Sequence, residues 1–115
     1  MKNAESEKLT VQFKFVEGEL ELNVEDIIYI ETDKHRNLFY TQNGTYSIYR
    51  KLNEIELELD GMDFLRIHQS FLVNMRYIEK ISSYILRLTT GEELSVPKSR
   101  YQNVKKVYAI YKEAE

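Results

Sequence analysis

The chain has 115 residues, 43% of them hydrophobic, no cysteine and a formal net charge of −3 at pH 7. That length fits one domain and buries roughly two-thirds of the unfolded surface, so a core forms without disulfides. The composition excludes a thiol nucleophile, fits a reducing compartment such as the cytoplasm, offers no apolar run near the roughly 20 residues of a membrane span, and argues against indiscriminate polyanion binding.

The charge is unevenly spread. Residues 1–60 hold 7 Lys and Arg against 13 Asp and Glu, whereas residues 61–115 hold 9 against 6. With a screening length of about 8 Å at physiological salt, a local basic patch can act despite an acidic far side.

Met1–Lys8 is polar and charged, lacks signal-peptide character, and is read as a linker or frayed terminus. Residues 9–115 are read as one domain. Leu9–Phe15 alternates apolar and polar side chains, the period of a half-buried strand, and Leu20–Leu22 resumes it after a turn at Glu17-Gly18. Four apolar residues in a row, Ile27–Ile30, predict a strand covered on both faces. Residues 31–37 are wholly polar and read as a loop. Leu38–Tyr40 returns to strand chemistry, and Asn43-Gly44 signals a hairpin. Ser47 is a candidate helix cap. Ile48, Leu52, Ile55 and Leu59 then form one apolar stripe at helical spacing, ended by Asp60-Gly61. The acids on that helix, Glu54, Glu56 and Glu58, read as solvated and without partners.

Phe64–Ile67 reads as a strand, Ser70–Asn74 as a tight or short helical segment, and Tyr77–Ile81 as another strand. Ser82-Ser83 permits a turn, Tyr84–Leu88 is a strand, Thr90–Glu92 a hairpin turn, and Leu94–Val96 the return strand. Pro97 stops that strand. Tyr101 then opens a helix with Tyr101, Val104, Val107, Tyr108 and Tyr111 on its apolar face.

Catalysis has little support. The two histidines are far apart and neither sits in a metal-ligand motif, and four glycines form no phosphate-cradling loop. Nothing in the sequence calls for a cofactor. Binding chemistry is better represented, in three segments: Lys34-His35-Arg36, His68-Gln69-Ser70 and Lys98-Ser99-Arg100. Arginine can bond guanine, and glutamine the adenine edge, in a paired way; Lys and Ser bond phosphate oxygens and set register. Each segment has a plainer reading. His35 could sit in a solvated loop, His68 could bond within the fold, and Arg100 could be a surface cation at a helix start, where the helix dipole disfavours it.

His68-x-Ser70-Phe71-x-Val73-Asn74, with Ile78 and Ile81 behind it, resembles the central signature of the LytTR domain, the DNA-binding module of one class of bacterial response regulators. Glu31-Thr-x-Lys-His-Arg36 and Ser95-Val-Pro-Lys-Ser-Arg-Tyr101 add to the resemblance, which runs from about Leu9 to about Lys112. It implies a mostly β fold: antiparallel sheets in an elongated sandwich, with one central and one C-terminal helix. It also implies sequence-specific binding of double-stranded DNA by loops, without a recognition helix, on bent DNA. Base contacts would fall on His35 (or Arg36), Gln69 and Arg100, and phosphate contacts on Lys34, Arg36, His68, Ser70, Lys98 and Ser99. Asn74 would bond the local backbone, a structural role. Gln69 departs from the Asn or Arg common at its position, which leaves the preferred base open. The family further implies two copies on a repeated site, and a receiver domain preceding such a module, which these residues do not contain.

The alternative is a small β-rich protein-interaction module that docks a peptide or receiver domain on a strand edge, to which the nine tyrosines are suited. One basic surface joining segments 34–36, 68–70 and 98–100 would favour DNA; their dispersal over different faces would favour the alternative.

Overall fold

The computed structural model describes residues 9–115, so the expectation for Met1–Lys8 lies outside the described residues. Strands β1 (Thr10–Phe15) and β2 (Gly18–Asn23) form an antiparallel hairpin. Its alternation sends Phe13 and Phe15 into the protein and Gln12 and Lys14 outward. Strands β3 (Ile27–Asp33), β4 (Arg36–Thr41) and β5 (Gly44–Ile48) lead to helix α1 (Leu52–Glu58). Strands β6 (Phe64–His68) and β7 (Phe71–Asn74) follow, then β8 (Ile78–Ser82), β9 (Ile85–Leu88), β10 (Glu93–Ser95) and helix α2 (Lys98–Ala114).

The central layer is a five-stranded antiparallel sheet in the order β5-β4-β3-β7-β6. On one face, Phe13 and Phe15 of the hairpin and Leu52, Ile55 and Leu59 at α1 meet Ile30, Phe39 and Leu72. On the other, the three-stranded sheet β10-β9-β8 and α2 bring Leu86, Leu88, Tyr101 and Val104 against Tyr29, Ile67 and Val73. Adjacent residues Leu72 and Val73 enter opposite cores because strand side chains alternate. The four-residue run Ile27–Ile30 is buried throughout and feeds both cores, helped by a bulge between Ile27 and Tyr29. The mostly β class with two helices follows from this layering.

Several local expectations are corrected. Residues 31–37 are not a loop: β3 runs on to Asp33 and β4 starts at Arg36, leaving a two-residue turn at Lys34-His35. Polar residues continue the strands because they satisfy one another; Thr32 Oγ1 donates to Asn37 Oδ1 at 2.6 Å. Ser47 does not cap a helix. It is buried in β5 with Ile48, its amide donating to Glu17 Oε1 at 2.9 Å, and Lys51 occupies the N-cap of α1. Phe71–Asn74 is a strand between β3 and β6 rather than a helical segment. Tyr84 belongs with Ser83 to a turn of positive φ, not to β9. Helix α2 begins at Lys98, three residues before Tyr101, with Pro97 at its N-cap.

Candidate nucleic-acid interface

The turn that carries Gln69 is built by Arg66. Its guanidinium donates to the carbonyl oxygens of His68 (2.8 Å) and Gln69 (2.5 Å), and to Asn53 Oδ1 and Glu56 Oε1 at 2.8 Å each. One planar fork thus joins the β6–β7 turn to α1. The Ser70 amide donates to His68 Nδ1 at 3.0 Å, which places the ring proton of the neutral imidazole on Nε2, and the ring packs on Phe71 at 5.0 Å between centroids. Gln69 contributes its carbonyl to this frame, while its amide side chain is exposed and, among the described residues, without a partner.

Buried hydrogen bonds extend the frame sideways. The Thr32 amide donates to the Ser70 carbonyl at 2.9 Å. Thr32 then reaches Asn37, and Asn37 Nδ2 donates to the Arg50 carbonyl at 2.5 Å. Asn37 is 3% exposed, so breaking this relay would leave polar groups unsatisfied in the interior. The relay brings the Gln69 turn, the Lys34-His35 turn and the β5–α1 junction to one open groove of about 420 Å³. Lys34, His35 and Arg36 line it from the first turn and Gln69 and Ser70 from the second.

The third wall was missed by sequence reading: Tyr49, Arg50, Lys51 and Asn53 line the groove from the β5–α1 junction. Lys34, Arg36, Arg50, Lys51 and Arg66 give the lining five cationic side chains, and among the described residues it includes no Asp or Glu. The acids stand behind it. Arg50 bonds Glu58 at 2.7 Å and Glu54 at 3.4 Å, Arg66 bonds Glu56, and Arg36 lies 3.7 Å from Asp33. The helix acids are solvent-exposed as expected, but they do have partners, contrary to the expectation that they lack them. The hydrogen bond to Glu58, partly opposed by burial, raises the Arg50 guanidinium above its ordinary value. Lys34, His35 and Lys51 are exposed and, among the described residues, unpaired.

The segment Lys98-Ser99-Arg100 does not line this groove. It forms the first turn of α2, which contains no acidic residue. Two cations there oppose the helix dipole, and among the described residues no hydrogen bond or ion pair engages either side chain. Helix α2 packs along β6. Its far end meets the start of that strand, where Tyr111 and Asp63 line one depression. From Arg100 to Tyr111 the helix rises about 16 Å, close to the length of a five-residue strand at about 3.3 Å per residue. The start of α2 lies beside the β8–β9 turn, where Tyr84 packs on Tyr101 at 4.4 Å.

Asn74 plays a structural part, as expected, but beyond its local bond it reaches remote backbone. Its Nδ2 donates to the carbonyls of Ile27 (2.9 Å) and Val24 (3.3 Å), and its Oδ1 accepts from the Arg76 amide. Among the described residues no cluster of side chains could hold a metal ion, and no helix is long and apolar enough to cross a membrane.

Comparison with known proteins agrees with this architecture. The family model of the LytTr DNA-binding domain matches residues 18–109. The chain is 35% identical to the sensory transduction protein LytT of Bacillus subtilis over 95 residues, covering 77% of the chain and 39% of that protein. It is 29% identical to the transcriptional regulatory protein LytR of Staphylococcus aureus over 89 residues, or 73% of the chain and 36% of that protein. The chain spans less than half the length of these relatives. The fold is shared with a LytTr DNA-binding domain from Bacillus cereus, with a TM-score of 0.74 at 24% identity, over 88% of this chain and 97% of that one. The chain belongs to the LytTR family of DNA-binding domains.

Proposed function

We propose that this protein reads a specific double-stranded DNA sequence through turns at one end of its β scaffold, as the DNA-binding part of a cytoplasmic bacterial transcription regulator rather than as an enzyme. His35, Gln69 and Arg100 reach base edges. Lys34, Arg36, His68, Ser70, Lys98 and Ser99 hold phosphates and fix the register. Two copies bind a repeated site, and a receiver domain outside this chain controls them, in keeping with the greater length of the relatives. Residues 9–115 act as one domain.

The observation that carries this reading is the groove, lined by five cationic side chains, of which Lys34 and Lys51 are unpaired among the described residues, and by no Asp or Glu, in a protein of net charge −3. A polyanion is the ligand such a surface fits, and the free Gln69 and His35 side chains supply the hydrogen-bonding groups that phosphate contact alone would not need. Segments 34–36 and 68–70 share the groove as this reading requires, whereas segment 98–100 lies outside it, so the groove supports the parts given to His35 and Gln69 rather than that of Arg100. Selection of duplexes from a random pool, followed by titration of the winner and a scrambled duplex across salt, tests the proposal. A preference for the winner that survives higher salt is expected; equal binding of both duplexes would overturn it.

A further inference from the structure

We infer that the β5–α1 junction is a fourth DNA-contacting segment, with Lys51 and Tyr49 engaging the phosphodiester backbone of the duplex that the turns read. The inference rests on the DNA-binding reading and adds a segment to it.

Three observations converge. Tyr49 is 69% exposed, an unusual position for a large aromatic residue, and lines the groove opposite the Gln69 turn. An aromatic ring with a hydroxyl at its tip suits a deoxyribose-phosphate edge, apolar against the sugar and donating to the phosphate. Lys51 lines the same groove, is exposed, and has no ion pair or side-chain hydrogen bond among the described residues. Between them, Arg50 also lines the groove but is already engaged: it bonds Glu54 and Glu58, and its guanidinium lies 6.0 Å from the centre of the Phe13 ring. The middle residue is held by the fold while its two neighbours stay unpaired. The Asn37 bond to the Arg50 carbonyl ties the segment to the Lys34-His35 turn, so the contact surface is set before DNA arrives and little ordering entropy opposes it.

The test compares the full chain with Lys51→Ala, Tyr49→Phe and the control Lys112→Ala, whose lysine pairs with Glu115 at the far end of α2. Binding to the selected and scrambled duplexes is titrated across salt. Losing one phosphate contact lowers the salt slope by about 0.9 and affinity about 5–10-fold near 0.1 M salt. Lys51→Ala is expected to show both effects equally on the two duplexes. Tyr49→Phe, which removes only the hydroxyl, is expected to weaken both about 2–10-fold, and Lys112→Ala to match wild type. Unchanged affinity and slope for Lys51→Ala, with wild type binding normally, would overturn this inference alone. Failure of wild type to bind either duplex, even at low salt, would overturn it together with the DNA-binding reading.

Discussion

At the scale of single residues, the interface separates side chains that hold shape from side chains that are free to meet a ligand. Arg100 and Lys98 share a helix turn but not a proposed task, and mutation separates them. Arg100→Ala is expected to cost about 1–3 kcal/mol on the selected duplex and relax preference at one base pair. Lys98→Ala should weaken the selected and scrambled duplexes alike and flatten the salt slope by about one unit. Parallel titrations resolve the two, and equal losses on both duplexes for Arg100→Ala would reject base reading by that residue. Arg66 is a positioning residue: four acceptors occupy its guanidinium, and 12% of its side chain is exposed. Arg66→Lys keeps the charge and loses the fork. Its expected signature is about a tenfold loss on the selected duplex, with scrambled-duplex affinity and salt slope unchanged. A lowered slope would instead make Arg66 a phosphate contact.

At the scale of elements, each short strand depends on its neighbours, and Asn74 shows how tightly. It closes β7 and satisfies two carbonyls from a segment about 50 positions away. Asn74→Ala removes the donor to the Ile27 carbonyl, while the Val24 carbonyl keeps its bond from the Ile27 amide, and is expected to lower stability by about 1–3 kcal/mol, read from the urea midpoint. This dependence also explains what could be read from sequence. Ile27–Ile30 announced a strand with two covered faces, and Leu52, Ile55 and Leu59 announced α1, because continuous burial and helical period are local signals. Ile48 fell into the helical stripe by coincidence of spacing, although it faces inward from the last position of β5. The polar ends of β3 and β4 looked like a loop because pairing between Thr32 and Asn37 leaves no mark in hydropathy. The start of α2 was invisible because Lys98, Ser99 and Arg100 supply no apolar position. The three candidate segments were legible as chemistry. The wall formed by Tyr49 and Lys51 was not, since the β4–β5 pairing and the Asn37 bond to the Arg50 carbonyl, which bring it to the groove, leave no local mark in the sequence.

At the scale of the whole molecule, two cores lie on opposite faces of one sheet, and the groove, Leu52 apart, lies outside both. The inner face also has a pH signature. Burial first, then the Glu92, Tyr40 and Glu31 charges, raises the Tyr29 phenol above its ordinary value, and burial with Glu31 raises Tyr40. In the unfolded chain these phenols ionise near pH 10; in the folded chain they keep their protons beyond it. Their contribution to stability is therefore intact below about pH 10 and falls as pH climbs toward the folded values, at up to roughly 1.4 kcal/mol per pH unit for the buried Tyr29 and by less for the more exposed Tyr40. The urea midpoint should drop between about pH 10 and 11.5, and Tyr29→Phe should make that drop shallower. A last consequence comes from how Arg66 grips the Gln69 turn. It holds carbonyl oxygens, which every amino acid possesses, and asks nothing of the side chain mounted there. A substitution there could change the chemistry offered at the tip of the turn while the bonds beneath it are inherited intact.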